Sequence, residues 1–470
     1  MIKFCKLILF GLLLSNPLFS QFEISVTING LSNQDVYLAF YYGDKNYVVD
    51  TVKLDSKGQG VFSGDKKLEE GIYLVILPSR NYFDFIIDSN TKFSMETDTS
   101  SDMRVMVKNL KIENSPVNTQ FRDYQDFMFS KTTEAHKYRV MSMDKTISDA
   151  KRKKAISELE EINNEIQQKQ NAVRGGSPNA LLSKIITAFD EPIVPKIGEL
   201  INGIPVDSIM QYNIYKTGYL KNIDFSDIRI LRTPIFHTKL STFFEKVVIP
   251  HPDSIINSIE YVVALIDGNK EFMQYVLNYV FTQYSNSKYM GFDAITVHLA
   301  DRYFLTDYVD WVKDDFKKQL ESRVEKIRPN LIGAVAPNLD KAQTPEGTFY
   351  PLHAVESKYT LLVFWEPNCG HCKKEMPILL DIFHKYHHLG FNIYSFYTQR
   401  DLDLWKETIA KFEIEPWINV YDPLYLTNFR DNYDVYSTPT MYLLDEKHKI
   451  VAKRLTIEFL NQFLEEKLKN

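Results

Sequence analysis

Hydrophobic and polar residues change their spacing along this chain, and each spacing predicts a different kind of element. From Phe22 they alternate: Phe22, Ile24, Val26 and Ile28 share one face, with polar residues between them, as in a half-buried strand. Strand-like runs continue through "VYLAFYYGDKNYVVDTVKLDSKGQGVFSG", broken by turn signals at Gly43-Asp44 and Lys57-Gly58, and then through "GIYLVILP" and "YFDFIID". They predict a small antiparallel sandwich over residues 21–112, its aromatic residues serving as cross-strand packing.

After "NSPVN" (Asn114 to Asn118) the period becomes helical. Ala155, Leu159, Ile162, Ile166 and Val173 keep 3/4 spacing until "GGSP" (Gly175 to Pro178) ends the run. The run holds too few heptads for a coiled-coil dimer, so it predicts a helix within a bundle. Apolar, tyrosine-rich segments extend the mainly helical region over 113–330. His237, His251 and His298 are scattered there without ligand spacing, and no function is legible in it.

Near Ile332 the pattern changes again. "YTLLVFW" (Tyr359 to Trp365) is apolar enough for a strand buried on both faces, "CGHCKKEMPILLDIFHKYHH" has helical spacing, and "FNIYSFYT" reads as a second buried strand. Strand, helix, strand at this spacing predicts a parallel βαβ unit. "STPTMYLLDEKHKIVAKRL" follows as two strands joined by a turn, and "TIEFLNQFLEEKLKN" as a closing helix. The fold class is therefore multidomain α+β: an N-terminal β-sandwich, a mainly helical middle region and a C-terminal α/β domain over 331–470.

Composition narrows the function classes. The 470 residues are 44% hydrophobic with a net charge of -6, as in a soluble globular protein, and no clustered basic face offers a footprint for nucleic acid or anionic lipid. At the start, Lys3 and Lys6 precede the apolar run Leu7 to Leu14, and a cleavage point near Ser20 completes a secretory signal over residues 1–20. The run is shorter than the roughly 20 residues a spanning helix needs. A mature chain without a transmembrane segment, exported to the periplasm or cell envelope, is expected. Cys5 precedes the apolar run instead of following it, which argues against lipidation, and it would leave with the signal. Only Cys369 and Cys372 then remain, and in an oxidising compartment a lone pair of thiols is expected to be used.

A thiol does redox work as its thiolate. Cys369 falls where strand gives way to helix, so unpaired backbone N–H groups and the helix dipole favour a negative sulfur there. Cys372 lies one turn further in and is expected to be more buried. This asymmetry makes Cys369 the attacking sulfur and Cys372 the resolving one, with no cofactor beyond their own redox-active disulfide. A protonated imidazole at His371 would favour the thiolate further, and Glu375 would exchange a proton with Cys372. A zinc site is the competing reading, but one CxxC supplies two of the four ligands a structural site needs. His384, His387 and His388 share a helix face at a helix end, where solvent and the dipole suit histidine, so no metal is expected.

Together "FWxxxCGHCKKExP", the buried strand before it and "TPT" (Thr438 to Thr440) resemble the thioredoxin superfamily, especially its exported TlpA-like thiol-disulfide oxidoreductases. The resemblance covers about Ile332 to Asn470. It implies that Cys369 is the nucleophile, Cys372 the resolving cysteine, Pro377 the proline of the active-site helix and Glu375 the helix glutamate of extracytoplasmic reductases. It also implies that Thr438 and Pro439 form a cis-proline loop receiving substrate backbone, and that Trp365 is the aromatic residue ending the strand, counted here with the substrate-binding residues. Protein thiol and disulfide substrates and a membrane-embedded thiol electron donor follow as expected partners. Asn368 stands where many thioredoxins carry tryptophan, and His448 occupies a turn where the family often has glycine. "APNL" also resembles peroxiredoxin relatives, but Glu366 replaces the threonine that a thiol peroxidase needs. A third reading makes the first two domains an envelope binding protein with an accessory redox module.

Overall fold

The computed structural model describes residues 20–266 and 268–469. The expected signal segment and Cys5 lie outside the described residues apart from Ser20, where the described chain starts. The described residues divide into two compact units, 20–247 with 265–272, and 248–264 with 273–469. The helical region read as one block over 113–330 is thus shared between them.

In the first unit the alternating runs form β1 (Phe22–Asn29), β2 (Asp35–Tyr42), β3 (Lys45–Lys53), β4 (Gln59–Gly64), β5 (Gly71–Ile76), β6 (Tyr82–Ile87), β7 (Lys92–Asp98) and β8 (Lys111–Glu113). They make two four-stranded sheets, ordered β4-β1-β7-β8 and β3-β2-β5-β6. The inward residues of both sheets share one core, in which Ile24 and Val26 pack with Leu38, Val75 and Phe85. One expectation is corrected: the sandwich is not wholly antiparallel, because β1 and β7 pair in parallel. The chain leaves β1, builds the whole second sheet and returns to lie beside β1 in the same direction, a long-range pairing that local turn signals do not encode.

The same unit holds α1 (Met103–Asn109), α2 (Pro116–Met143), α3 (Asp149–Gly176), α4 (Leu181–Phe189), the short pair β9 (Leu200–Ile201) and β10 (Ile204–Pro205), α5 (Ser208–Gly218) and α6 (Pro234–Thr242). Ser115 caps α2, and Pro116 stands in its first turn, where a missing N–H costs nothing. Asn118, only 1% exposed, turns its amide onto β6, accepting from the Ile86 N–H at 2.6 Å and donating to the Ile86 carbonyl at 2.9 Å.

Helices α7 (Pro252–Ile266) and α8 (Lys270–Ser285) contribute to both units. The second unit continues with α9 (Asp293–Leu299) and α10 (Asp314–Ile327) and then the expected α/β pattern: β11 (Tyr359–Trp365), α11 (Gly370–Tyr386), β12 (Phe391–Tyr397), α12 (Leu402–Phe412), β13 (Ile418–Tyr421), α13 (Phe429–Asn432), β14 (Thr440–Asp445), β15 (Ile450–Lys453) and α14 (Ile457–Lys469). The sheet order is β13-β12-β11-β14-β15. β11 pairs in parallel with β12 and antiparallel with β14. As the central strand, β11 must be apolar on both faces: Leu361, Val363 and Trp365 enter one core with α11, while Leu362 and Phe364 enter another with Tyr433 and Tyr442.

Polar ties join α9 and α10 to this sheet. Lys453, 3% exposed, donates to Asp293 and to the Asn330 carbonyl at 2.9 Å. Arg323 of α10 forks onto Asp434 at 2.5 and 3.0 Å, and Arg454 meets the same carboxylate. Burying the Asp434 carboxylate is tolerable because two guanidinium groups hold it.

Candidate active site

The turn between β11 and α11 places the cysteines. Cys369 is the N-cap of α11, and its sulfur accepts the Cys372 N–H at 3.4 Å. A cysteine cap leaves the sulfur at the positive end of the helix, among amide groups that have no partner within it. Cys372, one turn on, is buried, whereas Cys369 is half-buried, and both are free thiols. Pro377 lies inside α11, where its missing N–H leaves the Lys373 carbonyl without its helical donor.

The two sulfurs are held differently. Burial pushes the Cys369 thiol up, but the Cys372 and His371 amides and polar contacts with Thr438 outweigh it, and its pKa falls below the ordinary value. Burial pushes Cys372 up to about 12. At neutral pH Cys372 therefore keeps its proton, while Cys369 is the sulfur set up to lose one. Burial also raises Glu375, aided by Glu458 and opposed by His371, so this carboxyl holds a proton to higher pH than a solvated glutamate. His371 itself is exposed beside Cys369 on the first turn of α11.

The Thr438-Pro439 peptide bond is cis. The Thr438 carbonyl lies 3.0 Å from the Cys369 sulfur, where it accepts the thiol proton. Cys369, Cys372, Thr438 and Pro439 are thus gathered around the start of α11. Trp365 is not among them as a surface group, which corrects its expected contact with substrate. It is fully buried, its indole N–H donates to Ser395 Oγ at 2.7 Å, and its ring leans on Tyr397. The alternation of β11 that turns Val363 inward turns Trp365 inward too, so it supports the site from beneath.

Two neighbours escaped the sequence reading. Glu366, noted there only as the residue replacing a peroxidase threonine, accepts from Thr438 Oγ1 at 2.9 Å and from Gln399 Nε2 at 2.5 Å. It fastens the cis-proline loop to the turn after β12. A carboxylate three residues before the cysteine was the available signal. The second is the segment from Asp422 to Asn428, where Asp422 accepts the Leu426 and Thr427 N–H groups at 3.0 and 2.7 Å. Tyr425 stands there in the left-handed region under the Arg400 guanidinium, 3.8 Å from its ring centroid. No spacing in the sequence announced that loop.

At the end of α11 His384, His387 and His388 are all exposed. His387 stacks on Phe383 with ring centroids 4.4 Å apart and meets the Phe391 carbonyl at 3.1 Å. His448 does take the glycine-like conformation its turn demands, φ 58°, and stacks on His353. Asn368 is exposed on the turn before Cys369.

A central sheet with a dithiol at the helix start and a cis-proline facing it defines a thioredoxin-like fold. The family described as Thioredoxin-like matches residues 357–450, and a Domain of unknown function (DUF4369) matches residues 22–121. The thiol-disulfide oxidoreductase ResA of Bacillus cereus is 30% identical over 128 residues, 26% of this chain and 68% of that one. A domain of a possible thiol-disulfide isomerase from Cytophaga hutchinsonii ATCC 33406 is 39% identical, covering 30% of this chain and 94% of its own, with a TM-score of 0.28. A thioredoxin-like protein from Bacteroides caccae ATCC 43185 covers 58% of this chain and 98% of its own at 19% identity and a TM-score of 0.43. The chain belongs to the thioredoxin superfamily, among its TlpA-like thiol-disulfide oxidoreductases.

Proposed function

We propose that the protein is an exported protein-disulfide reductase or isomerase working through Cys369 and Cys372. One observation carries the reading: a half-buried sulfur with a lowered pKa caps α11 beside a cis-proline loop, with a second, buried thiol one turn behind it. The Cys369 thiolate attacks one sulfur of a substrate disulfide, forming a mixed disulfide and releasing the other sulfur as a thiolate. Cys372, its proton taken by Glu375 in the carboxylate form, then attacks the Cys369 sulfur. The Cys369–Cys372 disulfide forms, the second substrate thiol departs, and two electrons have passed from the dithiol to the substrate. A membrane-embedded dithiol donor would restore the reduced pair, and no other cofactor is invoked.

His371, beside the attacking sulfur, would favour the thiolate when protonated, and the Thr438 and Pro439 backbone would receive the substrate chain. Export rests on the first 20 residues. Among the described residues no helix is long and apolar enough to cross a membrane. The decisive experiment is single turnover of a pre-reduced protein with a disulfide substrate. Cys372→Ser is expected to accumulate the mixed disulfide and Cys369→Ser to give none; turnover retained by Cys369→Ser would overturn the reading.

A further inference from the structure

The substrate sulfur must reach Cys369, and the chain carrying it must pass over the cis-proline loop. Tyr436 lies two residues before Thr438, so their Cα atoms are at most about 7.6 Å apart. Its side chain is 67% exposed, although large aromatic residues gain by burial. It nevertheless has fixed neighbours. The Arg323 guanidinium lies 5.7 Å and the Lys326 ammonium 5.9 Å from its ring centroid, and both cations belong to α10. Each is anchored to the segment that carries the tyrosine: Arg323 by its fork onto buried Asp434, and Lys326 by Asp431 at 3.1 Å.

The attraction is electrostatic, between each cation and the ring's negative face. It braces the ring and leaves most of its surface to solvent. A ring held this way loses little freedom when something docks on it, which is the property of an efficient recognition residue.

We propose that Tyr436, braced by Arg323 and Lys326 of α10, is a specificity-determining platform for protein substrates. It receives an apolar side chain of an extended segment about two residues from the substrate cysteine. The reach fits, since an extended chain advances about 3.3 Å per residue and Tyr436 and Thr438 stand two residues apart on one segment. A helix outside the catalytic sheet thereby shapes what the dithiol meets. The inference rests on the thiol-disulfide reading above.

The test compares full-length, pre-reduced proteins by single-turnover rates with insulin, a disulfide-bonded protein, and bis(2-hydroxyethyl) disulfide, which is too small to reach the platform. Tyr436→Ser is expected to lower the insulin-to-small-disulfide rate ratio about fivefold or more, and Lys326→Met about twofold, while Tyr436→Phe, which keeps the ring but loses the hydroxyl's hydrogen bonds to both cations, lowers it no more than about twofold. An unchanged ratio in Tyr436→Ser, or an equal fall in Tyr436→Phe, overturns the platform. If wild type reduces both probes, such a result removes only this inference; if it reduces neither, the thiol-disulfide reading falls as well.

Discussion

The N-terminal sandwich and the thioredoxin-like sheet use backbone strain differently. In the sandwich the non-glycine residues with positive φ are Asn33 and Arg80, both in turns. Asparagine adopts that conformation at small cost. Around the catalytic sheet the same conformation falls on Glu413, Tyr425, Asn428, Asp434, His448 and Arg454, of which Glu413, Tyr425 and Arg454 are residues for which it is unfavourable. Asp434 lies four residues before Thr438, and Tyr425 packs against Arg400, next to the Gln399 that holds Glu366. The sandwich holds one such costly conformation, at Arg80 in a turn that only reverses the chain, whereas the catalytic unit holds three, at Glu413, Tyr425 and Arg454.

The comparison makes graded predictions. The largest effect is chemical: Cys369→Ser should lower disulfide turnover about a thousandfold or more, whereas Phe85→Ala, in the sandwich core, should leave turnover of the folded protein intact. Rates measured per folded molecule check both. Next come the stability losses. Phe85→Ala should cost about 3–5 kcal/mol by emptying a fully buried site, and Asp434→Ala about 1 kcal/mol, because the Arg323 and Arg454 side chains it frees are 41% and 56% exposed and return to solvent. Denaturant unfolding measures each, and Asp434→Ala alone should also slow turnover.

The pH dependence follows with a definite sign. The Cys369 pKa lies below that of an ordinary thiol, so its alkylation should reach half its maximal rate at a lower pH than a free cysteine does, and fall as the medium becomes more acidic. Cys372, held up to about 12 by burial, should stay unmodified across that range. Mass mapping of alkylated cysteines separates the two, and equal labelling would refute the asymmetry. The smallest effect concerns the strain itself. Arg80→Gly should stabilise by about 0.5–1 kcal/mol with no change in turnover. Tyr425→Gly should show a similar relief of strain but lower the rate with a protein disulfide.

What could be read in advance followed physical range. The period-2 run from Phe22, the doubly buried Tyr359 to Trp365 and the capped helix after Cys369 are local patterns, and each became the expected element. The parallel β1–β7 pair is a meeting of distant segments and left no local trace. Within the site, the dithiol and the cis-proline loop were visible because their chemistry restricts the residues that serve. Trp365 was misplaced because the substrate role implied by the motif was set above the burial that its place in a doubly buried strand already dictated. Glu366, Arg323 and Tyr436 act through partners far along the chain, so no spacing revealed them.

The Asn118 amide closes the sandwich on one side. β6 is the last strand of its sheet, and an uncovered strand edge invites another chain to add to it. By occupying both the N–H and the carbonyl of Ile86, the side chain imitates the next strand for one residue and then stops, because it belongs to a helix. A protein whose proposed work brings it against incompletely folded chains thus carries a built-in guard against becoming a template for their aggregation.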